Sequence, residues 1–221
     1  MIRRDYFLRI IERIGAALLL SRQQIDAGET GEAATTLDQA FLDLIGTGPE
    51  VVSQLSETEL LAKISIDEPT HVVREKIQLL VGLLQEAGRI RMADGREAAG
   101  AACWVKALDI LLMLQLEDID LEFPEFVPNI DLLRGQLRDT TLPPRTLAAL
   151  WRVYERLGVY GSAEDALFAL LEVEPDSEAL QAEAEAFYAR LMRQDDEALE
   201  AGGLPRTEIM TSLAELRAPK V

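Results

Sequence analysis

A chain of 221 residues with 48% apolar content holds enough bulk for a folded core, which excludes a disordered tail or a short disulfide-held scaffold. Its formal net charge of −17 opposes polyanionic partners, so nucleic acid and anionic membrane surfaces are not expected as ligands. The single cysteine, Cys103, cannot close an intramolecular disulfide, and a reducing, cytoplasmic setting is expected.

Leucine, alanine, glutamate and arginine dominate and no convincing strand pattern is present, so the chain is expected to be all-α. A first helical hairpin is expected over about residues 5–45, with Asp5 as the opening cap and Tyr6, Ile10, Ile14 and Leu18 at helical spacing. The Ile10 to Leu20 stretch is apolar, but Glu12 and Arg13 interrupt it as a signal segment, and no run is read as membrane-spanning. Gly46 to Pro49 closes this unit.

Ser56 and Glu59 make a capping-box pattern flanked by Leu55 and Leu60 as a hydrophobic staple, which predicts a spacer helix over about 57–65. Asp67, Glu68 and Pro69 then open a long helix to about Ala93, because a proline and carboxylates suit a first turn. A helix from about Arg96 to Leu116, apolar almost all round, completes a second hairpin over 69–116 and is read as the centre of the core. Asp118 to Pro128 is read as an extended acidic loop anchored by Phe123 and Phe126, lacking the glycine and final glutamate of a calcium loop. A second spacer helix is placed at about 129–138.

Leu142-Pro143-Pro144 opens a third hairpin over 144–174, with Ser162 as the cap of its second helix. Capping helices over about 177–201 and 207–216 finish the chain, and residues 1–221 are taken as one domain. Between Glu164 and Glu200 stand twelve carboxylates against only Arg190 and Arg193 as cations, an acidic solvated face.

One frame recurs in the three hairpins: Arg22, Gly28, Ala33, Leu37, Phe41; then Arg89, Gly95, Gly100, Trp104, Leu108; then Arg152, Gly158, Ala163, Leu167, Leu171. Each glycine is expected at positive φ, ending a first helix, and each small residue is expected where the second helix packs closely on the first. The third copy, with Leu150, Tyr154, Gly158, Tyr160, Ala163 and Pro175, resembles a tetratricopeptide repeat. The second, with Gly88, Gly95, Trp104 and Ala107, and the first, with Gly28, Ala33 and Ala40, resemble it less. The whole chain also resembles an uncharacterised family of bacterial tetratricopeptide-like proteins, through Arg4-Asp5-Tyr6, Leu142-Pro143-Pro144 and the run from Tyr160 to Leu171. The resemblance implies hairpins stacked as a short right-handed superhelical solenoid with extra spacer helices, and it implies no activity.

The three frame arginines occupy equivalent places, which in tetratricopeptide-like arrays line a groove. Arg22, Arg89 and Arg152 are therefore the candidate clamp for a carboxylate-bearing protein or peptide, against the plainer role of arginine near a helix C-terminus. His71 with Glu68 and Glu75 has metal-ligand spacing but too few ligands, so no metal and no cofactor is expected. Cys103 beside Trp104 reads as a small core residue. No phosphate-cradling glycine loop, dinucleotide fingerprint or nucleophile elbow is present. The expected function is a non-catalytic interaction scaffold. The alternatives are an enzyme or small-molecule sensor with a carboxylate-lined interhelical pocket, and self-association as a homodimer through the apolar N-terminal helix.

Overall fold

The computed structural model describes residues 2–66 and 69–217, with the side chains of residues 2–8 outside that description. Among the described residues there are twelve α-helices and no strand. The chain divides into two compact units, Met1–Leu114 with Leu121–Thr141, and Gln115–Asp120 with Leu142–Val221.

Unit 1 begins with α1 (Ile2–Asp26) and α2 (Thr30–Ile45), which fold onto each other, and α5 (Thr70–Ala93) packs against both. Because α1 starts upstream of Asp5, that residue lies inside the helix, and its side chain and that of Tyr6 fall outside the described residues. Ile10, Ile14 and Leu18 keep the predicted stripe and are buried. A short additional helix, α3 (Pro49–Gln54), starts at the proline expected only to close a turn. Proline suits the first helical position because its missing N–H has no partner there in any case. α4 (Glu57–Ser65) carries the expected capping box: Ser56 Oγ accepts from the Glu59 N–H, and the Glu59 carboxylate accepts from the Ser56 N–H at 2.8 Å. Those bonds hold the Glu59 carboxyl below its ordinary range. Asp67 and Glu68, expected to open the next helix, lie outside the described residues, and Pro69 flanks the start of α5.

α5 is buried at every residue from Ile77 to Gly88, so it shares the core of this unit with α6 (Glu97–Glu117). Trp104 on α6 donates its indole N–H to the Gln85 carbonyl of α5 at 3.0 Å. By length and composition α6 is apolar enough to cross a membrane, which corrects the reading that no run is. Of its most apolar window 56% is buried inside the protein, and Lys106 on it pairs with Glu57 at 2.7 Å. Beyond α6, Phe126 packs its carbonyl and ring on Gly82 of α5, so it anchors the loop as expected, while Phe123 is half-buried. α7 (Ile130–Gln136) follows, capped by Asn129, whose side-chain oxygen accepts from the Leu132 N–H.

Unit 2 contains α8 (Pro144–Leu157), α9 (Tyr160–Val173), α10 (Glu178–Leu191), α11 (Asp196–Ala201) and α12 (Arg206–Arg217), with α8 folded on α9. Two expectations are corrected here. Ser162 does not cap α9, which begins at Tyr160. The N–H of Gly161 in its first turn instead donates to the Gly202 carbonyl at 2.9 Å, so a backbone group from another segment satisfies it. The helix expected over 177–201 is broken into α10 and α11. Asp195 caps α11 by accepting from the Ala198 N–H, and Arg206 donates to the Met192 and Gln194 carbonyls that the break releases. Ser177 caps α10 as its position suggests.

The three frame glycines make the same turn. Gly28, Gly95 and Gly158 have φ of 80°, 73° and 74°. The N–H after each donates to the carbonyl five residues back, Glu29 to Gln24, Arg96 to Arg91 and Val159 to Tyr154, at 2.8, 2.8 and 2.9 Å. This is the Schellman arrangement, with a glycine where a Cβ would be strained. Ala33, Gly100 and Ala163 are buried as the frame requires. A Cβ on Gly100 would lie 2.7 Å from the Met92 sulfur and 3.1 Å from the Gly88 carbonyl.

Candidate functional site

The frame places its arginines equivalently in sequence, but side-chain chemistry separates them. Arg22 on α1 and Arg89 on α5 converge on one carboxylate of the protein itself. Arg22 Nε donates to Glu86 Oε1 at 2.7 Å and Arg89 Nη1 to Glu86 Oε2 at 3.0 Å. Arg89 Nη2 also donates to Asp26 at 3.1 Å. The Glu86 side chain is 0% exposed, and removing a charge from water is costly unless opposite charge and hydrogen bonds surround it. The two guanidiniums fill both of its oxygens and tie α1 to α5. A carboxylate clamp is thus built in unit 1, with Glu86 inside it.

Arg152 is different. It is exposed on α8 and makes no ion pair or hydrogen bond among the described residues. It lines a cavity of about 460 Å³ within unit 2, together with Glu155, Arg156, Tyr160, Arg190 and Gln194, with Leu116 and Leu191 as apolar wall. The helical period explains the cluster, since Arg152, Glu155 and Arg156 are spaced i, i+3, i+4 and share one face of α8. Arg156 donates to the Leu116 carbonyl. Arg190, at the end of α10, forks onto Glu155 with its two nitrogens 2.6 and 2.8 Å from the two oxygens. Those bonds, and then the charge of Glu155, push the Arg190 guanidinium up from its already high value. Tyr160 enters because Gly158 turns the chain so that α9 begins two residues later. The arrangement gathers three guanidiniums and one carboxylate, a local excess of positive charge in a protein of net charge −17, and guanidinium forks of this kind suit an anionic group.

Sequence reasoning therefore reached Arg152 but missed Arg156, Glu155 and Arg190. The α8 spacing was a usable signal, and so was Arg190 as one of two cations in an acidic stretch. The other candidates do not join this cavity. His71 is exposed, and its suggested partner Glu68 lies outside the described residues. Among the described residues no three His, Cys, Asp or Glu side chains are grouped to hold a metal ion. Cys103 is 0% exposed, and burial pushes its thiol up, away from the nucleophilic thiolate.

These observations define an all-helical protein with an arginine-lined cavity in its second unit. The chain belongs to a family of unknown function, DUF6483, whose model matches residues 1–220. No curated protein and no solved structure matches it.

Proposed function

We propose that the protein is a non-catalytic, tetratricopeptide-like interaction scaffold of the bacterial cytoplasm that holds a carboxylate-bearing segment of a protein or peptide. The observation that carries this reading is Arg152, an unpaired guanidinium at a cavity that two further arginines line. The three matching glycine turns and their buried small residues support the repeat character, with α3, α4 and α7 as spacers between hairpins. In this reading Arg152 makes the partner contact, and Arg22 and Arg89 hold α1 on α5 through Glu86. Self-association through α1 is the lesser reading and draws on the exposed Leu19 and Leu20.

The test is fluorescence anisotropy with a panel of labelled acidic peptides against the full chain and its Arg152→Glu variant. A hydrogen bond to a charged group is worth about 1.5–3 kcal/mol, so Arg152→Glu weakens binding by about tenfold or more, with the helical circular dichroism unchanged. Equal affinity for both proteins overturns the assignment.

A further inference from the structure

The charges that line the unit 2 cavity do not cancel. Glu155 holds Arg190 with both of its oxygens, at 2.6 and 2.8 Å, and the two make a neutral pair. Glu183, a further carboxylate that acts on Arg190, lies outside the lining. Arg152 and Arg156 remain. Arg152 makes no ion pair or hydrogen bond among the described residues. Arg156 gives one nitrogen to the Leu116 carbonyl, a neutral acceptor, and so keeps its charge and its other N–H groups. That bond also fixes where the Arg156 head sits, which lowers the ordering cost of a ligand contact.

The two arginines are four residues apart on α8, so they share a face, with Cβ atoms about 5–6 Å from each other. A single carboxylate, even one that bridges both heads, leaves one positive charge unmatched. Two negative charges match both. The acidity of the chain as a whole does not prevent this, because at about 0.15 M salt the screening length is about 8 Å and contacts at hydrogen-bond distance are screened least. The cavity, about 460 Å³, is larger than the charged group, and Leu116, Leu191 and the Tyr160 ring give the rest of the ligand apolar contact.

Resting on the reading of Arg152 as the contact, we infer that the cavity takes a dianion, with Arg156 as its second contact residue: the bound segment presents two negative charges at one point, one for each uncompensated guanidinium. Two adjacent acidic side chains supply that charge, and so does one phosphorylated side chain. Both belong to a segment of protein, and both place acceptor oxygens on the two forks.

Titration of the full chain, followed by amide chemical shifts, tests this. The probes are acetylated, amidated peptides Leu-Gly-Xaa-Yaa-Gly-Leu whose central pair is Glu-Glu, phosphoserine-Gln, Glu-Gln or Gln-Gln. In the unsubstituted protein at least one doubly charged peptide shifts resonances of α8 and binds about tenfold more tightly than Glu-Gln, as one further charge-assisted hydrogen bond would give. Gln-Gln gives no response. Arg156→Gln removes the preference for the second charge, Arg156→Lys retains part of it, and Arg152→Gln weakens every acidic peptide. Glu155→Gln leaves Arg190 as a third uncompensated cation and widens the preference, which keeps the test decisive if the Arg156 variants misfold. The source is read from the pair that binds tighter and from pH: a phosphate gains its second charge near pH 6, so phosphoserine-Gln tightens from about pH 5.5 to 7.5 while Glu-Glu does not. Equal affinity for singly and doubly charged peptides, or a preference that Arg156→Gln leaves unmoved, overturns the inference. If acidic peptides bind through Arg152 with no gain from the second charge, the scaffold reading stands and this inference falls. If no peptide binds, both fall.

Discussion

The same atom added at two glycines has opposite consequences, and the surroundings decide the sign. Gly88 on α5 faces Trp104, and a Cβ there would lie 2.2 Å from the indole nitrogen. The indole is rigid and held by its bond to the Gln85 carbonyl, so it cannot swing aside cheaply. Overpacking costs about 1–3 kcal/mol, whereas alanine gains about 1 kcal/mol over glycine in a helix interior. Displacement by more than an ångström places Gly88→Ala at the upper end, and a net loss of about 2 kcal/mol is expected in urea unfolding. Gly15 on α1 has nothing within 4 Å of its Cβ position, so Gly15→Ala gains about 0.5–1 kcal/mol. If both variants move stability in one direction, packing at Gly88 is not what fixes that residue. The tetratricopeptide resemblance of the second hairpin marks Gly88 and Trp104 together because their spacing is local to that hairpin. It did not mark Glu86, whose partner Arg22 is 64 positions away in the chain, since no periodicity encodes a long-range ion pair.

At the scale of elements, termini with local chemistry were legible and termini held by distant groups were not. The capping box before α4, the asparagine before α7 and the serine before α10 each bond within three residues, so the sequence displays them. The start of α9 is satisfied by the Gly202 carbonyl and the end of α10 by Arg206, neither visible in the local pattern. The docking of α12 is equally non-local and has a pH signature. Tyr188 donates to Glu164 at 2.7 Å, and Ser212 of α12 bonds the same carboxyl. Burial, with lesser repulsion from Glu208 and Asp165, pushes the Glu164 carboxyl above its ordinary 4.5. A group raised in the folded state binds protons more tightly there, so its stabilising contribution is complete below pH 4.5 and is lost as pH rises through the folded value. Glu164→Gln keeps an acceptor for Tyr188 without the ionisation. It is therefore expected to match the unsubstituted protein near pH 4 and to unfold at a higher temperature at pH 7. Parallel melting curves across that range would remove Glu164 as the titrating group.

For the whole molecule, two electrostatic effects oppose each other when salt is added, and their sizes decide the outcome. The described surface carries ion pairs such as Arg13 with Asp43, Arg96 with Asp94 and Arg217 with Glu185, all substantially exposed on at least one side. Exposed pairs contribute about 0–1 kcal/mol each, and salt weakens them. Against them stands the mutual repulsion of 39 carboxylates with only 22 compensating cations, which acts over the whole chain at low ionic strength. Raising salt from about 10 to 150 mM shortens the screening length from about 30 to 8 Å, so repulsion across the molecule fades before contacts at 3 Å do. The buried Glu86 node is shielded from either change. Stability is therefore expected to rise with salt over this range, and each kcal/mol gained lifts the thermal midpoint by about 2–4 °C for a chain of this size. Circular dichroism melts at the two ionic strengths measure it. A midpoint that falls with salt would mean the exposed pairs outweigh the net charge, and it would remove the excess of carboxylates as the dominant long-range term.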